Sequence, residues 1–234
     1  MSSQGGKTIE WTNWIQHELK TPLNRMESLI QSLERQTELG FESRKIILKL
    51  QDSLIESRGV LDSLFLFNKI ENSLIKPQFT TKDVNSIIMA AVQDSEPLAK
   101  VKGIVISAET EPLFPVHIDE QLFRRAFLNI LENAIKFSPP EKRILLSTEE
   151  VGDSIVVQIA DQGVGMSKKE VSQVFEPYFR CEKTMGAPGT GLGLYIAKRF
   201  IEFHSGEIDL DSIEDGGTTF TIKIPKNNFK KEEC

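Results

Sequence analysis

Apolar residues recur in the first third of the chain at Ile15, Leu19, Leu23, Met26, Ile30 and Leu33, and again at Ile47, Leu50, Leu54, Leu61 and Leu64, at spacings of three, four or seven. Such spacing puts them on one face of a helix, so two long amphipathic helices are predicted before residue 76. Between them, Glu38-Leu39-Gly40-Phe41-Glu42 carries a glycine suited to a helix C-terminus, which turns the pair into an antiparallel hairpin. Two helices alone bury too little surface to be stable. The apolar seam therefore predicts a partner: the same hairpin from a second chain, completing a four-helix bundle. The alternative is packing against the chain's own C-terminal part.

Lys76-Pro77 breaks the second helix, and the pattern changes character. A short strand near Phe79, a helix over about 83–101 and strands at Ile104–Ala108 and Phe114–Ile118 are predicted. A helix follows from Glu120 to Phe137, stopped by Ser138-Pro139-Pro140, and then strands at Arg143–Thr148 and Ser154–Ala160. A Gly-rich irregular stretch runs to Thr190, Gly191–His204 reads as helix, and strands at Glu207–Asp211 and Thr218–Ile224 close the pattern. The fold class is α+β, a helical hairpin followed by a two-layer α/β sandwich. The expected division is a flexible lead at 1–8, the hairpin at 9–75, the sandwich at 76–226 and a charged tail at 227–234.

Composition narrows the function classes. The 234 residues are 39% hydrophobic and 26% charged, an ordinary globular balance with enough chain to bury a core. Two cysteines make no disulfide framework, and three histidines without HExxH or CxxC make a built-in zinc site a poor expectation, in keeping with a reducing, cytoplasmic setting. The longest apolar stretch, Ile87–Val92, is far short of the ~18 residues of a membrane span, and MSSQGG lacks a signal peptide's apolar segment, so no membrane contact is expected. Residues 1–76 carry ten Lys/Arg and ten Asp/Glu, so the net charge of −6 resides in the remainder. No basic stripe tracks a nucleic-acid backbone, and nucleic acid is not an expected partner.

Three clusters carry candidate chemistry. Gly189, Gly191 and Gly193 precede an amphipathic helix, with Thr190, Leu192 and Leu194 among them, and offer exposed backbone N–H groups beside a positive helix terminus. Asp161 ends the apolar strand Ile155, Val157, Ile159 and is followed by Gly163 and Gly165, which permit a sharp exit; its carboxylate can accept from an exocyclic amine such as that of adenine. Asn129, Asn133 and Lys136 are spaced by four and three on the Glu120–Phe137 helix and share a face, presenting two amide oxygens to a hydrated cation and an ammonium to phosphate. Read singly, each also fits a plainer role, as a packing turn, a turn-forming aspartate or solvated helix surface. Gly6-Lys7-Thr8 imitates the end of a P-loop, but no strand precedes it and the first glycine would fall on Met1.

Together the clusters resemble a known family. Asn129-Ile-Leu-Glu-Asn133-Ala-Ile-Lys-Phe-Ser, Asp161-Gln-Gly-Val-Gly165-Met, Phe175-Glu-Pro-Tyr-Phe179, Gly189-Thr-Gly-Leu-Gly193-Leu and Gly217-Thr-Thr-Phe are similar to the N, first glycine, F, second glycine and terminal boxes of sensor histidine kinases. His17-Glu-Leu-Lys-Thr-Pro22-Leu resembles their phosphoacceptor H box, of the HisKA type. The resemblance spans roughly residues 10–225. It implies a dimerisation and phosphotransfer hairpin, a homodimer, a Bergerat-type ATP-binding domain, ATP and Mg2+ as cofactors, and a response regulator receiver domain as partner. It makes Asp161 the adenine reader, gives Asn129 and Asn133 the Mg2+ and Lys136 a phosphate, and has Gly163, Gly165 and the Gly189–Leu194 stretch bind nucleotide. Residues 166–188 become the ATP lid, anchored by Phe175 and Phe179, with Arg180 in reach of the terminal phosphate.

The same resemblance implies that His17 is phosphorylated by in-line attack of an imidazole that is largely unprotonated near neutral pH. Glu18 would orient the ring or take its proton, and Thr21, one turn on, would position water for dephosphorylating the regulator. Asn24, Glu27 and Gln31, just below the histidine, are the expected docking face. Pro22 predicts a local bend by removing an N–H from the helix. Gln16, where serine commonly precedes the histidine, Lys20, where arginine is frequent, and Ser205, where glycine is frequent, depart from the pattern without touching this chemistry. Related ATPases that hydrolyse ATP place a general-base glutamate where Asn129 stands; an amide cannot deprotonate water, so transfer is favoured over hydrolysis. A catalytically dead scaffold is the other rival. The H box lies so near the start that an upstream sensor region, with any membrane anchor, is expected to be missing.

Overall fold

A computed structural model describes residues 3–35, 40–187 and 189–226, of which 3–18 as helix backbone only. Glu38 and Leu39 of the expected turn, Pro188 of the expected lid and the charged tail at 227–234 lie outside the described residues. Two compact units are present, the first made of the chain up to Ile75 together with Ala187–Thr190, the second of Lys76–Gly186 and the chain from Gly191 on.

The first unit is a hairpin of α1 (Ser3–Glu34) and α2 (Phe41–Glu71). The helix begins at Ser3, so it takes in most of the segment expected as a flexible lead. It also runs without interruption through Pro22. Ile30, Ile47 and Leu54 are buried between the helices, with Leu23 packed against them. Lys20 pairs with Asp62 at 3.2 Å, and Arg58 reaches back to Glu27 at 2.7 Å, which sets the antiparallel register. Gly40 does not close α1. It is the N-cap of α2, with φ −62° and ψ 161°, an extended conformation open to any residue; glycine is tolerated there because an N-cap need not be helical.

The second unit carries a five-stranded sheet, made from β2 (Val105–Thr110), β4 (Arg143–Val151), β5 (Ser154–Ala160), β6 (Glu207–Ile213) and β7 (Gly217–Pro225), in the order β2-β4-β5-β7-β6. All neighbours are antiparallel except β2 and β4. A separate ribbon pairs β1 (Thr80–Lys82) with β3 (Val116–Ile118). Alternation buries one face of the sheet: Ile144 and Leu146, Ile155, Val157 and Ile159, Phe220, Ile222 and Ile224. Three helices cover that face, α3 (Val84–Val101), α4 (Glu120–Phe137) and α6 (Gly193–Phe203), with α4 packed between the other two. The central helix buries Phe123, Phe127, Ile130, Leu131 and Ile135.

Both ends of α4 are read correctly from local signals. Asp119 caps its start, with Oδ1 accepting from Leu122 N at 3.0 Å. Oδ2 accepts from Gln78 N at 2.7 Å, and the Asp119 N–H donates to Nε2 of His204 at 3.0 Å. His204 is fully buried at the end of α6, and its Nδ1 lies 2.6 Å from the Phe200 carbonyl. A carbonyl can only accept, so Nδ1 carries the proton and the ring is the neutral tautomer with both nitrogens satisfied. Phe79 and Phe123 pack edge-on against it at 5.5 and 5.9 Å between ring centres. The histidine is structural, as is His117, which stacks on Phe79.

Burial holds the His204 imidazole below its ordinary range, against the opposing pull of Phe200 and Asp119. The unfolded ring, at a pKa of ~6.5, takes a proton where the folded ring does not. This contribution to stability is therefore fully present above the unfolded pKa and lost as pH falls through it toward the folded one. Urea midpoints should drop between about pH 7.5 and 5.5. His204→Leu should flatten that slope while costing roughly 1–3 kcal/mol at the upper pH, since it orphans the Asp119 N–H. An unaltered slope would remove the ring from the pH response.

Candidate functional site

The C-terminal half of α4 carries three of the predicted residues on one face. Asn129 is buried, and its Nδ2 finds no hydrogen-bond partner among the described residues. Buried amide donors are costly when unmet, so this atom is suited to a ligand oxygen or an ordered water. Asn133 and Lys136 are half-buried one and two turns on, and the Lys136 ammonium sits 4.9 Å from the Phe137 ring centre.

Asp161 directly follows β5 and is half-buried. Its Oδ1 accepts from the N–H groups of Gly163 at 2.8 Å and Thr218 at 3.2 Å, which orients the carboxylate. Oδ2 receives neither of these bonds. Burial pushes the carboxyl above its ordinary range, while the two amide donors pull the other way. An ionised Asp161 is acceptor-only, the form that recognises an exocyclic amine.

Glycines let the backbone close around this carboxylate. A Cβ on Gly163 would fall 2.8 Å from Asp161 Oδ1 and 2.9 Å from the Phe137 carbonyl oxygen. Gly165, at φ +59°, is in the left-handed region, and a Cβ there would collide with the Ile213 carbonyl. Val164 N donates to the Phe137 carbonyl at 3.3 Å, joining the loop after β5 to the end of α4. The structure thus brings the first glycine cluster and the helix bearing the asparagines together.

The turn at Gly191 and Gly193 closes the third side. Gly191 has φ +73°, which excludes it from a right-handed helix, so α6 starts at Gly193 and not at residue 191 as the periodicity predicts. A Cβ on Gly193 would lie 3.8 Å from Asn133 Nδ2, so the N-terminus of α6 opens beside the central helix. Gly189 has φ +132°. Thr190 and Leu194 are half-buried, whereas Leu192 is fully buried and has only its backbone to offer a ligand.

The stretch between the glycine clusters is less irregular than predicted. It contains α5 (Lys168–Val171), capped by a Ser167/Glu170 capping box, and a 3₁₀ turn at Glu182–Thr184. Glu170 Oε1 also accepts from Glu182 N at 3.2 Å, tying one piece to the other. Phe175 and Phe179 are only half-buried; Val174, which nothing in the pattern singles out, is the buried anchor. Lys198 Nζ stands 5.3 Å from the Phe175 ring centre. Arg180 donates to the Met185 carbonyl at 2.5 Å, inside the stretch itself. Burial, reinforced by Glu170, pushes the Cys181 thiol up to about 11, so it is no nucleophile.

In the first unit Thr21 is exposed, and the backbone of His17 and Glu18 is helical while their side chains lie outside the described residues. Asn24 and Glu27, expected as free docking residues, are both held by Arg58, at 2.7 Å each, because α2 passes alongside. Gln31 is exposed. Thr218 is the site residue that sequence reading misses: it acts through its backbone N–H, which any residue type supplies. Among the described residues no cluster of three or more His, Cys, Asp or Glu could hold a metal ion. A divalent ion here would rely on amide oxygens and ligand oxygens, the manner of Mg2+ with phosphates.

Residues 118–228 match the model of the histidine kinase-, DNA gyrase B- and HSP90-like ATPases. The chain is 30% identical over 214 residues to the sensor-like histidine kinase SenX3 of Mycolicibacterium smegmatis, covering 91% of this chain and 56% of that protein. It is 29% identical over 230 residues to the sensor histidine kinase WalK of Bacillus subtilis, covering 94% and 36%. The chain thus spans from about a third to somewhat over half of these relatives. Among solved structures, full-length ShkA in complex with AMPPNP superposes with a TM-score of 0.79 at 25% identity, over 92% of this chain and 45% of that one.

Gly165→Ala should cost more than ~1 kcal/mol of stability and lower the affinity for adenine nucleotides, since the added methyl meets both a disfavoured left-handed φ and the Ile213 carbonyl. Chemical denaturation and calorimetric titration with ADP check it. Native-like values in both would show that the loop yields without cost.

Proposed function

We propose that this chain, like the sensor histidine kinases of two-component systems that it is similar to, transfers the γ-phosphoryl group of ATP to His17 and then to an aspartate of a response regulator receiver domain. The observation that carries the reading is the convergence of Asn129, Asn133 and Lys136 with the Asp161–Gly165 loop and the Gly191–Gly193 turn within one domain. Asp161 accepts from the adenine amine through Oδ2, and Lys136 and the amides at the start of α6 face the phosphates. Asn129 and Asn133 hold Mg2+ through their amide oxygens, and the ion, when bound, neutralises phosphate charge. Asn129 also favours transfer over hydrolysis, because an amide cannot serve as base toward water.

On the hairpin, the ring nitrogen of His17 attacks the γ-phosphorus in line, a P–N bond forms as the P–O bond to ADP breaks, and the displaced proton passes to Glu18 or solvent. Thr21, exposed one turn on, positions the water that cleaves the regulator's phosphoryl group. Leu19, Met26 and Leu33, spaced by seven, are exposed on α1, and Ile46, Leu50 and Leu64 on α2. A second copy covers them in a four-helix bundle. Gln31, together with the Asn24 and Glu27 set by Arg58, faces the regulator. The site works in the cytoplasm, where ATP is supplied. No described helix is long and apolar enough to cross a membrane.

Incubation with γ-labelled ATP and Mg2+ should label the chain in an acid-labile, alkali-stable form. His17→Gln should abolish the label without altering ADP binding. Asp161→Asn should weaken ADP by about 10- to 100-fold, as expected for a lost hydrogen bond to a charged group. Labelling that survives His17→Gln would sink the assignment. Thr21→Ala should spare autophosphorylation and slow regulator dephosphorylation; equal dephosphorylation rates would take Thr21 out of the mechanism.

A further inference from the structure

A helix leaves its last four carbonyls without intrahelical donors, and a glycine turn commonly supplies the missing N–H groups. The end of α4 cannot use that device. Ser138 is extended, with φ −77° and ψ 138°, and residues 139 and 140 are prolines, which have no N–H to return to the Ile135 and Lys136 carbonyls.

Each carbonyl nevertheless has a partner. Ser138 N takes that of Ala134 at 3.2 Å, and Val164 N, from the loop after β5, takes that of Phe137 at 3.3 Å. The Nζ of Lys102 donates to the other two, Ile135 at 3.0 Å and Lys136 at 2.6 Å, and also to the carbonyl of the cap residue Ser138 at 3.1 Å. An ammonium has three N–H bonds, and all are spent on this one helix terminus. The lysine is placed for it by the turn that ends α3, where Lys102 is the C-cap and Gly103, at φ +67°, reverses the chain. Glu141 N donates to the Lys102 carbonyl at 3.1 Å, so the two turns hold each other.

We propose that Lys102 is a positioning residue for the nucleotide site, its half-buried ammonium capping the C-terminus of α4 and so fixing Asn133, Lys136 and the Asp161–Gly165 loop in register. This rests on the reading of that site as nucleotide-binding. Two effects follow from one charge. The ammonium offsets the negative end of the helix dipole, which would otherwise oppose a polyphosphate beside the last turn. It also fixes the Phe137 carbonyl on which Val164 depends, so the adenine-facing loop and the phosphate-facing helix move as one piece.

The test uses the whole chain, titrated calorimetrically with Mg-ADP and followed by hydrogen exchange without nucleotide. K102M should weaken ADP about tenfold, the scale of a sub-ångström to ångström misplacement of binding groups. Exchange should rise at the amides of Ser138 and Val164 but not in β6 and β7. K102R, which keeps the charge and several donors, should stay within about threefold of the native affinity. Native affinity in K102M, or exchange raised uniformly through the domain, would overturn the proposal. If K102M does not fold, K102Q is read in the same way, and failure of both to fold makes Lys102 an ordinary folding residue and overturns it too. Native protein that does not bind ADP would instead remove the nucleotide reading, and this inference with it.

Discussion

The closeness of backbone to backbone between the loop after β5 and its neighbours governs the ATP-binding domain. Gly163 faces the Phe137 carbonyl, Gly165 the Ile213 carbonyl, and Gly217 the carbonyl of Asp161 itself, each where a Cβ has no room. Two of the three, Gly165 and Gly217, also stand at positive φ. The absence of three methyl groups lets the sheet end approach the helix end, and that approach decides where the Asp161 carboxylate points. Of its two amide donors, Gly163 lies two residues on and is a local turn contact, whereas the Thr218 N–H reaches Oδ1 because β7 lies this close.

The central helix α4 is held at both ends by side chains remote in sequence. At its start Asp119 caps the helix while its own N–H is fixed by buried His204. At its end Lys102 gathers carbonyls that two prolines leave unserved. Between these fixtures the buried face is continuous. A helix held this way suits the proposed phosphoryl transfer, in which the protein contributes chiefly alignment and charge neutralisation.

The hairpin is built on the opposite plan. It buries a narrow seam of Leu23, Ile30, Ile47 and Leu54 and leaves a longer row of leucines, isoleucines and a methionine exposed. In the dimer proposed above, association would supply the stability that so small an interior cannot. The ATP-binding domain, with sheet and helices closed on each other, does not share that dependence.

Local signals in the sequence determined the elements: the helix over 120–137, bounded by a capping aspartate and a Ser-Pro-Pro stop, the strand 154–160, and the glycine clusters flanking a long connection. These are legible because periodicity and breakers act between near neighbours; the Asp119 cap, equally local, was not read from the sequence. Gly40 was misread because a glycine between two helices suits either terminus, and the first turn of α6 because left-handed Gly191 looks like any other residue in a periodic count. Tertiary structure alone decided the parallel pairing of β2 with β4, the seizure of Asn24 and Glu27 by Arg58, the reach of the Thr218 N–H to Asp161 and the capping of α4 by Lys102. Such contacts join residues tens of positions apart and depend on where whole elements come to rest, so no short stretch of sequence encodes them.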